Sequence, residues 1–322
     1  MQTIIEKIES KKAPIQVANR NHLTHYIGNT PLLELKNISE QVSPVKIYAK
    51  AEWFNPGGSI KDRAALNMIL HAIKDGKLTI GKRILDATSG NTGIAYAMIG
   101  ASLGYKVTLC LPENAGTVHK KIISAFGAEI IYTDRMYGTD GAINKARELI
   151  NAYPDKYVYL DQYNNENNWK AHFHGTGPEI VRQTHGDITH FVAGLGSSGT
   201  FVGTGRWLKR VNPDIQLISF QPDSPLHGME GMKHLETAMV PGIYDASLAD
   251  NNLEIATEEA HHMVKLLAQR EGLLVGNSAG GALAAALKVA AELSHGVVVT
   301  VFPDAAYKYI GQAFWEENSE SN

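Results

Sequence analysis

Residues 54–63 read Phe-Asn-Pro-Gly-Gly-Ser-Ile-Lys-Asp-Arg, and the lysine of this stretch, Lys61, is its chemically most informative residue. The Pro-Gly-Gly string predicts a tight turn, and Ser59 is a suitable N-cap for a helix that begins after it. An apolar stripe at helical spacing follows, formed by Ile60, Ala64, Met68 and Ala72. The positive end of the helix dipole disfavours an ammonium group at Lys61 and favours the neutral, nucleophilic amine that Schiff-base chemistry requires. For a lone lysine, the ordinary alternative is a solvated side chain beside Asp62.

The composition is that of an ordinary globular chain. Its 322 residues are 44% hydrophobic and 20% charged, which is enough for two domains. A net charge of −3 gives no electrostatic reason to expect a nucleic acid or an anionic membrane as partner. The single cysteine, Cys110, is predicted to be a small core residue in a strand, which excludes a disulfide framework. The chain has no apolar leader and no stretch of membrane-spanning length, so we expect a cytosolic location.

Strand-like runs alternate with helical runs along most of the chain, which predicts an α/β fold with mostly parallel sheets. The predicted strands are Lys46–Lys50, Arg83–Ala87, Lys106–Leu111, Glu129–Tyr132, Tyr157–Leu160, Thr189–Ala193, Gln216–Phe220 and Gly296–Phe302. The predicted helices, besides the one at Lys61, are Ile94–Leu103, His119–Phe126, Ala142–Ala152, Gly199–Val211, Glu258–Arg270 and Gly280–Leu293. Residues 224–250 lack periodicity and are predicted to be loop, and residues 316–322 are expected to fray.

Three glycine-rich strings each open a predicted helix. The first, residues 86–93, offers backbone N–H groups and hydroxyls that suit an anion, although a routine N-cap is the alternative. The second, residues 194–200, contains G-x-G-x-x-G, yet the acidic residue that a dinucleotide site needs about twenty positions later is absent. A single phosphate therefore suits this string better than a dinucleotide. In the third, residues 276–282, Ser278 alone would be interpreted as an N-cap.

Taken together, these strings resemble the fold-type II pyridoxal-phosphate enzymes. The matching features are a lysine after Asn-Pro-Gly-Gly-Ser, a Thr-Ser-Gly-Asn-Thr-Gly loop, a glycine-rich phosphate cradle and a late Gly-x-Ser-x-Gly string, in that order. More narrowly, the chain resembles the cysteine synthases of the O-acetylserine or O-phosphoserine sulfhydrylase kind, close to the cystathionine β-synthase catalytic core. The resemblance extends from about Gly28 to Tyr309 and implies a tryptophan-synthase-β-like fold with pyridoxal 5′-phosphate as cofactor.

The resemblance also implies roles for individual residues. Lys61 would be joined to the cofactor aldehyde and would move the Cα proton, while Asn91 would bind the phenolic oxygen. The substrate carboxylate would be held by Thr88, Ser89, Asn91, Thr92 and Gln162. The cofactor phosphate would be held by Gly196, Ser197, Ser198, Gly199 and Thr200, and family members usually have Thr-Gly in place of Ser197-Ser198. Ser278 would face the pyridine nitrogen and leave it essentially neutral, which favours β-elimination over transamination.

The implied activity is a cysteine synthase reaction, a β-replacement that converts O-acetylserine or O-phosphoserine plus sulfide to L-cysteine through an α-aminoacrylate. Cystathionine β-synthase and serine/threonine dehydratase stay open as alternatives, although we expect the chain to lack the regulatory domains that many members of both groups carry. The alternative from another class is a binding protein that uses the family's peptide pocket. Lys233 and His234 would counter a phosphate on O-phosphoserine, or would lie on a solvated loop.

The resemblance divides the chain into two domains with the cofactor in the cleft between them. Residues 23–47 and 162–312 would form the larger, cofactor-phosphate domain, and residues 48–161 a smaller mobile domain with the substrate-carboxylate loop. Residues 1–22 would be an arm and residues 313–322 a tail. A homodimer is expected, with a sulfur-carrier protein or a serine acetyltransferase as possible partners.

Three further acidic or imidazole positions are interpreted separately. Asp304 matches a cofactor-side acidic position in some relatives, and a helix cap is the alternative. His172 and His174 are spaced like a pair of metal ligands, but no carboxylate or third histidine stands near them in sequence. A structural role is therefore favoured, and no metal is expected.

Overall fold

The computed structural model describes residues 22–316, whose strands form two sheets. The larger sheet has six strands, in the spatial order β1 (Leu32–Glu34), β2 (Lys46–Ala51), β10 (Val297–Phe302), β7 (His190–Gly194), β8 (Gln216–Pro222) and β9 (Asn251–Ile255). The smaller sheet has four strands, in the order β5 (Glu129–Thr133), β4 (Lys106–Pro112), β3 (Arg83–Ala87) and β6 (Tyr157–Tyr159). The strand pairs are parallel except β1 with β2, which run antiparallel.

The helices of the described residues pack against the two sheets and each other. They are α1 (Lys36–Ser39), α2 (Lys61–Lys74), α3 (Asn91–Leu103), α4 (Thr117–Ala125), α5 (Gly138–Ala152), α6 (Glu166–His174), α7 (Thr176–Gln183), α8 (Gly199–Val211), α9 (Thr257–Glu271) and α10 (Asn277–Ala291). Helix cover explains why β4 and β10 are buried along nearly their whole length on both faces. Cys110 lies fully buried in β4, as predicted. Over residues 22–316, no helix is both long and apolar enough to cross a bilayer.

The predicted α/β fold with mostly parallel sheets is confirmed, and every predicted strand is present within two residues at each end. Residues 223–250 contain no helix or strand, as predicted for residues 224–250. The elements that were not predicted from the sequence are β1, β9, α1, α6 and α7. The strand β1 has only three residues, and β9 begins with two exposed asparagines at the edge of its sheet, so neither shows a clear alternation of polar and apolar residues.

The predicted domain division stays a prediction, but one of its boundaries conflicts with the sheet. A boundary between residues 47 and 48 would cut β2, which lies wholly in the six-stranded sheet. A boundary after β2 agrees with the strand order, since the four strands of the smaller sheet all lie between residues 83 and 159. Most of the predicted arm and tail, residues 1–21 and 317–322, lies outside the described residues.

Candidate active site

A cavity lies at the carboxyl ends of the central strands of both sheets, which is where parallel α/β sheets commonly bind ligands. The loops that follow β3 and β7 line this cavity, and so do the starts of α2 and α10. The structure therefore brings together residues that are far apart in sequence. The predicted site residues that line it are Lys61, Thr88, Ser89, Asn91, Thr92, Gln162, Gly196, Ser197, Ser198, Gly199, Thr200, Lys233 and Ser278.

Lys61 is the first residue of α2, and its side chain lines the cavity. The backbone N–H of Lys61 donates to Ser59 Oγ over 3.3 Å, so Ser59 supports the start of the helix, although Ile60 is the N-cap residue. Desolvation lowers the pKa of the Lys61 amine, the Asp304 carboxylate opposes this shift, and the Lys308 ammonium adds to it. The shift has the predicted direction, and its largest cause is desolvation.

The loop from residue 194 to residue 200 forms a tight cradle at the N-terminus of α8. A Cβ atom on Gly196 would collide with the carbonyl oxygen of Gly231, and one on Gly199 would collide with the side chain of Asn168. Ser198 has a φ of +69°, in the left-handed region, and its hydroxyl is buried without a hydrogen-bond partner among residues 22–316. Exposed backbone N–H groups at a helix N-terminus and an unpaired buried hydroxyl together fit a phosphate.

The loop at the end of β3 is held in shape by hydrogen bonds to Gln162. Thr92 Oγ1 donates to Gln162 Oε1 over 2.8 Å, and Gln162 Nε2 donates to the carbonyl oxygen of Ala87 over 2.7 Å. Within the loop, the backbone N–H of Gly90 donates to Thr88 Oγ1 over 3.0 Å. These contacts hold residues 88–92 at the N-terminus of α3, where the helix dipole favours an anion such as a carboxylate.

The Asn91 amide is oriented by residues that follow β10. Its Nδ2 donates to Asp304 Oδ2 over 2.7 Å, while Lys308 Nζ donates to Asn91 Oδ1 over 2.6 Å. Tyr309 Oη also donates to Asp304 Oδ2, over 2.7 Å. Asp304 is therefore part of the network around Asn91 and does not cap a helix, since Ala305 is the N-cap of the following 3₁₀ turn and has no side-chain cap. The sequence analysis gave Lys308 and Tyr309 no role, although their place after a central parallel strand indicates the cleft edge.

Ser278 lines the cavity as the second residue of α10. The N-cap of this helix is Gly276, so the interpretation of Ser278 as a plain N-cap is wrong. A Cβ atom on Gly276 would collide with Asp304 Oδ1, so the chain passes close to Asp304 just before Ser278. Ser278 is thus placed to contact a ligand in the cavity.

The positions of Lys233 and His234 agree with neither interpretation of their loop. They are 7% and 8% exposed, so the solvated-loop interpretation is wrong. Lys233 lines the cavity, but its Nζ lies 3.2 Å from Asp140 Oδ1 and 5.1 Å from the centre of the Tyr163 ring. His234 does not line the cavity, and its Nδ1 lies 2.9 Å from Thr237 Oγ1. A joint role of the two side chains toward a substrate phosphate has no support from this geometry.

His172 is buried in α6, and its Nδ1 lies 2.9 Å from Thr176 Oγ1. Across residues 22–316 no group of three or more metal-ligating side chains is present. His172 therefore has a structural partner. Two other residues that the sequence analysis did not single out, His119 and Glu230, also line the cavity.

Comparison with known proteins agrees with this geometry. The sequence profile of the family described as "Pyridoxal-phosphate dependent enzyme" matches residues 23–304. The chain belongs to this family. Among the pyridoxal-phosphate-dependent enzymes, a cysteine synthase of Aquifex aeolicus (strain VF5) is 52% identical over 304 residues, which cover 92% of this chain and 93% of the relative. Cysteine synthase B of Escherichia coli (strain K12) is 40% identical over 295 residues, 92% of this chain and 96% of the relative.

A solved structure of the pyridoxal-phosphate-dependent family also matches closely. The crystal structure of cysteine synthase (OASS) from Entamoeba histolytica superposes with a TM-score of 0.89 at 32% identity, covering 97% of this chain and 95% of the other. The predicted family, fold and pyridoxal phosphate cofactor are therefore confirmed. The residues present fit the cofactor, because a desolvated lysine, a glycine-lined cradle with an unpaired hydroxyl and Ser278 share one cavity.

Proposed function

We infer that this chain is a cysteine synthase, an enzyme that forms L-cysteine from an activated L-serine and sulfide by β-replacement. The similarity to cysteine synthases over more than nine-tenths of the chain supports this activity. The observation that carries the inference is that a desolvated Lys61 amine shares one cavity with two loops suited to anions. A protein that only binds a peptide would not require a desolvated amine beside two anion-binding loops.

Each group of side chains has a distinct task in the proposed reaction. Residues 88–92 and Gln162 bind the substrate carboxylate, and residues 196–200 bind the cofactor phosphate. Asn91 and Ser278 bind the phenolic oxygen and the ring nitrogen of the cofactor. When bound, pyridoxal phosphate supplies the electron sink for negative charge at Cα. The Lys61 amine accepts the Cα proton and returns it to Cα after the β-substituent has been replaced.

Replacement of Lys61 tests the proposed function directly. Lys61→Ala is expected to abolish cysteine formation, because the variant lacks both the cofactor anchor and the proton carrier. Lys74→Ala is the matched control, since Lys74 is an exposed lysine at the other end of the same helix. Cysteine formation and the near-ultraviolet absorbance of the bound cofactor are measured together. Near-normal cysteine formation by Lys61→Ala would refute the proposal.

We propose O-acetylserine rather than O-phosphoserine as the preferred donor. Among the lysines and arginines of the described residues, only Lys61 and Lys233 line the cavity, and Lys233 is already paired with Asp140. A dianionic phosphate would therefore meet no free cation there. We expect kcat/KM for O-acetylserine to exceed that for O-phosphoserine by about tenfold or more, as an unpaired charge would predict. Equal kcat/KM values for the two donors would contradict this preference. They would mean that Lys233 leaves Asp140 and pairs with the substrate phosphate.

The remaining expectations stay predictions. They are a homodimer, a cytosolic location and the partnership of a sulfur-carrier protein or a serine acetyltransferase. Offering homocysteine and sulfide side by side tests the cystathionine β-synthase alternative. Formation of a keto acid when no thiol is present tests the dehydratase alternative.

A further inference from the structure

His119 is a buried cavity-lining residue to which neither the sequence analysis nor the proposed reaction gives a role. It lies in the first turn of α4, and its side chain reaches the cavity although the residue is only 1% exposed. The α4 helix follows β4 of the smaller sheet, next to the loop of residues 88–92 that follows β3. His119 is thus on the side of the cavity that holds the substrate rather than the cofactor phosphate.

Two glycines make room for the imidazole ring. A Cβ atom on Gly90 would lie 2.9 Å from His119 Cδ2, and one on Gly116 would lie 2.7 Å from His119 Nδ1. The ring also packs against Tyr309, with 5.6 Å between the ring centres. Any side chain at either glycine would displace the imidazole. The two glycines therefore fix the position of the ring beside the loop of residues 88–92.

One nitrogen atom of the His119 ring lacks a hydrogen-bond partner among residues 22–316. This atom is the buried Nδ1. The Nδ1 atom lies on the Gly116 side of the ring, whereas Nε2 lies on the side of Gly90, which lines the cavity, so Nε2 is the nitrogen placed to contact a ligand. Desolvation and the Lys308 ammonium lower the pKa of His119 to about 4, against the opposing effect of Asp304. The ring is therefore neutral near pH 7, and one of its nitrogens carries a hydrogen that it can donate.

The proposed reaction needs a hydrogen-bond donor at the β-substituent but no extra proton. The bond from Cβ to the ester oxygen breaks, and acetate leaves with the electron pair. Hydrosulfide then forms the bond from sulfur to Cβ, while the proton that Lys61 took from Cα returns to Cα. Acetate leaves as an anion, so a fixed neutral donor beside the β-substituent stabilises the charge that develops on the leaving oxygen.

We propose that His119 contacts the substrate, donating its ring N–H to the β-substituent of the donor as that group leaves. This assignment rests on the proposed function. Glu230, which lines the same cavity, is less suited to this role because its Oε1 already accepts a hydrogen bond from Gln312 Nε2 over 3.1 Å. His119 thereby distinguishes substrates by their β-substituent, whereas residues 88–92 recognise the carboxylate that all amino acids share.

The test compares O-acetylserine with glycine, which has the same carboxylate and amino group but no β-substituent. For His119→Leu, we expect kcat/KM for O-acetylserine to fall about 10- to 100-fold, the cost of one buried hydrogen bond. His119→Gln places an amide N–H near the position of Nε2 and is expected to regain most of the loss. Glycine binding, followed by the change in cofactor absorbance, is expected to be unchanged in both variants.

His262→Leu is the matched control, because His262 is an exposed histidine on α9. If His119→Leu weakens glycine and O-acetylserine equally, His119 acts only by supporting Gly90, and the proposal is overturned. Unchanged kcat/KM for O-acetylserine in His119→Leu overturns it as well. If the unaltered enzyme forms no cysteine from O-acetylserine, the proposed function fails, and this assignment fails with it.

Discussion

At Ser198 a residue with a side chain occupies left-handed backbone, directly before α8 begins. This conformation costs a non-glycine residue on the order of 1 kcal/mol. The residue is nearly fully buried, and its hydroxyl has no partner within residues 22–316. The backbone strain and the unpaired hydroxyl are both located where the cofactor phosphate is expected to bind. A serine here is therefore explained by the ligand rather than by the stability of the protein alone.

Ser198→Gly is expected to stabilise the cofactor-free protein by about 1 kcal/mol, because glycine adopts a positive φ without strain. The same change is expected to weaken cofactor binding several-fold, since the hydroxyl is lost. Urea unfolding and a cofactor titration measure the two effects. Ser197→Gly is the control, and it should destabilise the protein because Ser197 Oγ accepts a hydrogen bond from Asn168 over 3.0 Å. A Ser198→Gly protein less stable than the original would contradict this account.

Among the structural elements, α2 is held in place by a buried cluster of four charged side chains. Arg63 on this helix contacts Glu52 and Glu179, each over 2.7 Å. Lys50 on β2 contacts Glu179 on α7, also over 2.7 Å. Two positive and two negative charges balance, which is how proteins accommodate buried ions. The cluster links α2, α7 and β2 close to the residue that begins α2, Lys61.

Glu179→Gln is expected to lower the free energy of unfolding by about 3–5 kcal/mol at neutral pH, since Lys50 would lose a buried partner and Arg63 one of two. Burial alone would raise the pKa of Glu179, but Arg63 and Lys50 outweigh it and lower the pKa from 4.5 to about 2. The stabilisation by the ionised carboxylate is therefore complete above pH 4.5 and is lost as the pH falls toward 2.

The original protein and Glu179→Gln should therefore differ less in their free energy of unfolding as the pH is lowered. Denaturant unfolding at a series of pH values measures this difference. Glu166→Gln serves as the control, because Glu166 pairs with Lys170 on the surface of α6 and its loss should change stability little. A gap that stays constant down to the lowest pH would show that the Glu179 charge is not the source of the stabilisation.

At the scale of the whole molecule, Asp140 links the two sides of the cleft. It belongs to α5, which packs on the smaller sheet, while its partners belong to the segment between β8 and β9 of the larger sheet. Lys233 Nζ donates to Asp140 Oδ1 over 3.2 Å, and the backbone N–H of Met239 donates to Asp140 Oδ2 over 3.0 Å. Such a link favours a closed cleft, which excludes water from the reaction.

Asp140→Asn is expected to raise KM for O-acetylserine about 3- to 10-fold, the cost of a weakened hydrogen-bonded ion pair. A larger share of keto acid relative to cysteine should accompany it, because water enters a less firmly closed cleft. Product analysis under steady-state conditions measures both. Asp155→Asn is the matched control at an exposed aspartate before β6. If KM and the product ratio are unaltered in Asp140→Asn, Asp140 plays no part in closing the cleft.

Features that depend on neighbouring residues could be predicted from the sequence. The turn before Lys61, the loop of residues 86–93 and the cradle of residues 194–200 carry their signals in consecutive residues, since turns and helix starts depend on neighbouring backbone groups. The helix α6 carries no such signal, because it is rich in asparagine and histidine. Tertiary packing stabilises it, and Asn168 then reaches the phosphate loop.

The amino-acid order alone determined the α/β class and predicted the reactive lysine and the anion-binding loops, because these features depend on residues within about ten positions of one another. Only the tertiary structure decided which distant side chains act on those residues. Lys308 orients Asn91 from 217 positions away, Asp140 occupies Lys233, and His119 enters the cavity between two glycines. Such contacts arise because parallel strands bring their carboxyl ends to one edge of a sheet. No short stretch of the sequence shows which strand ends come together there.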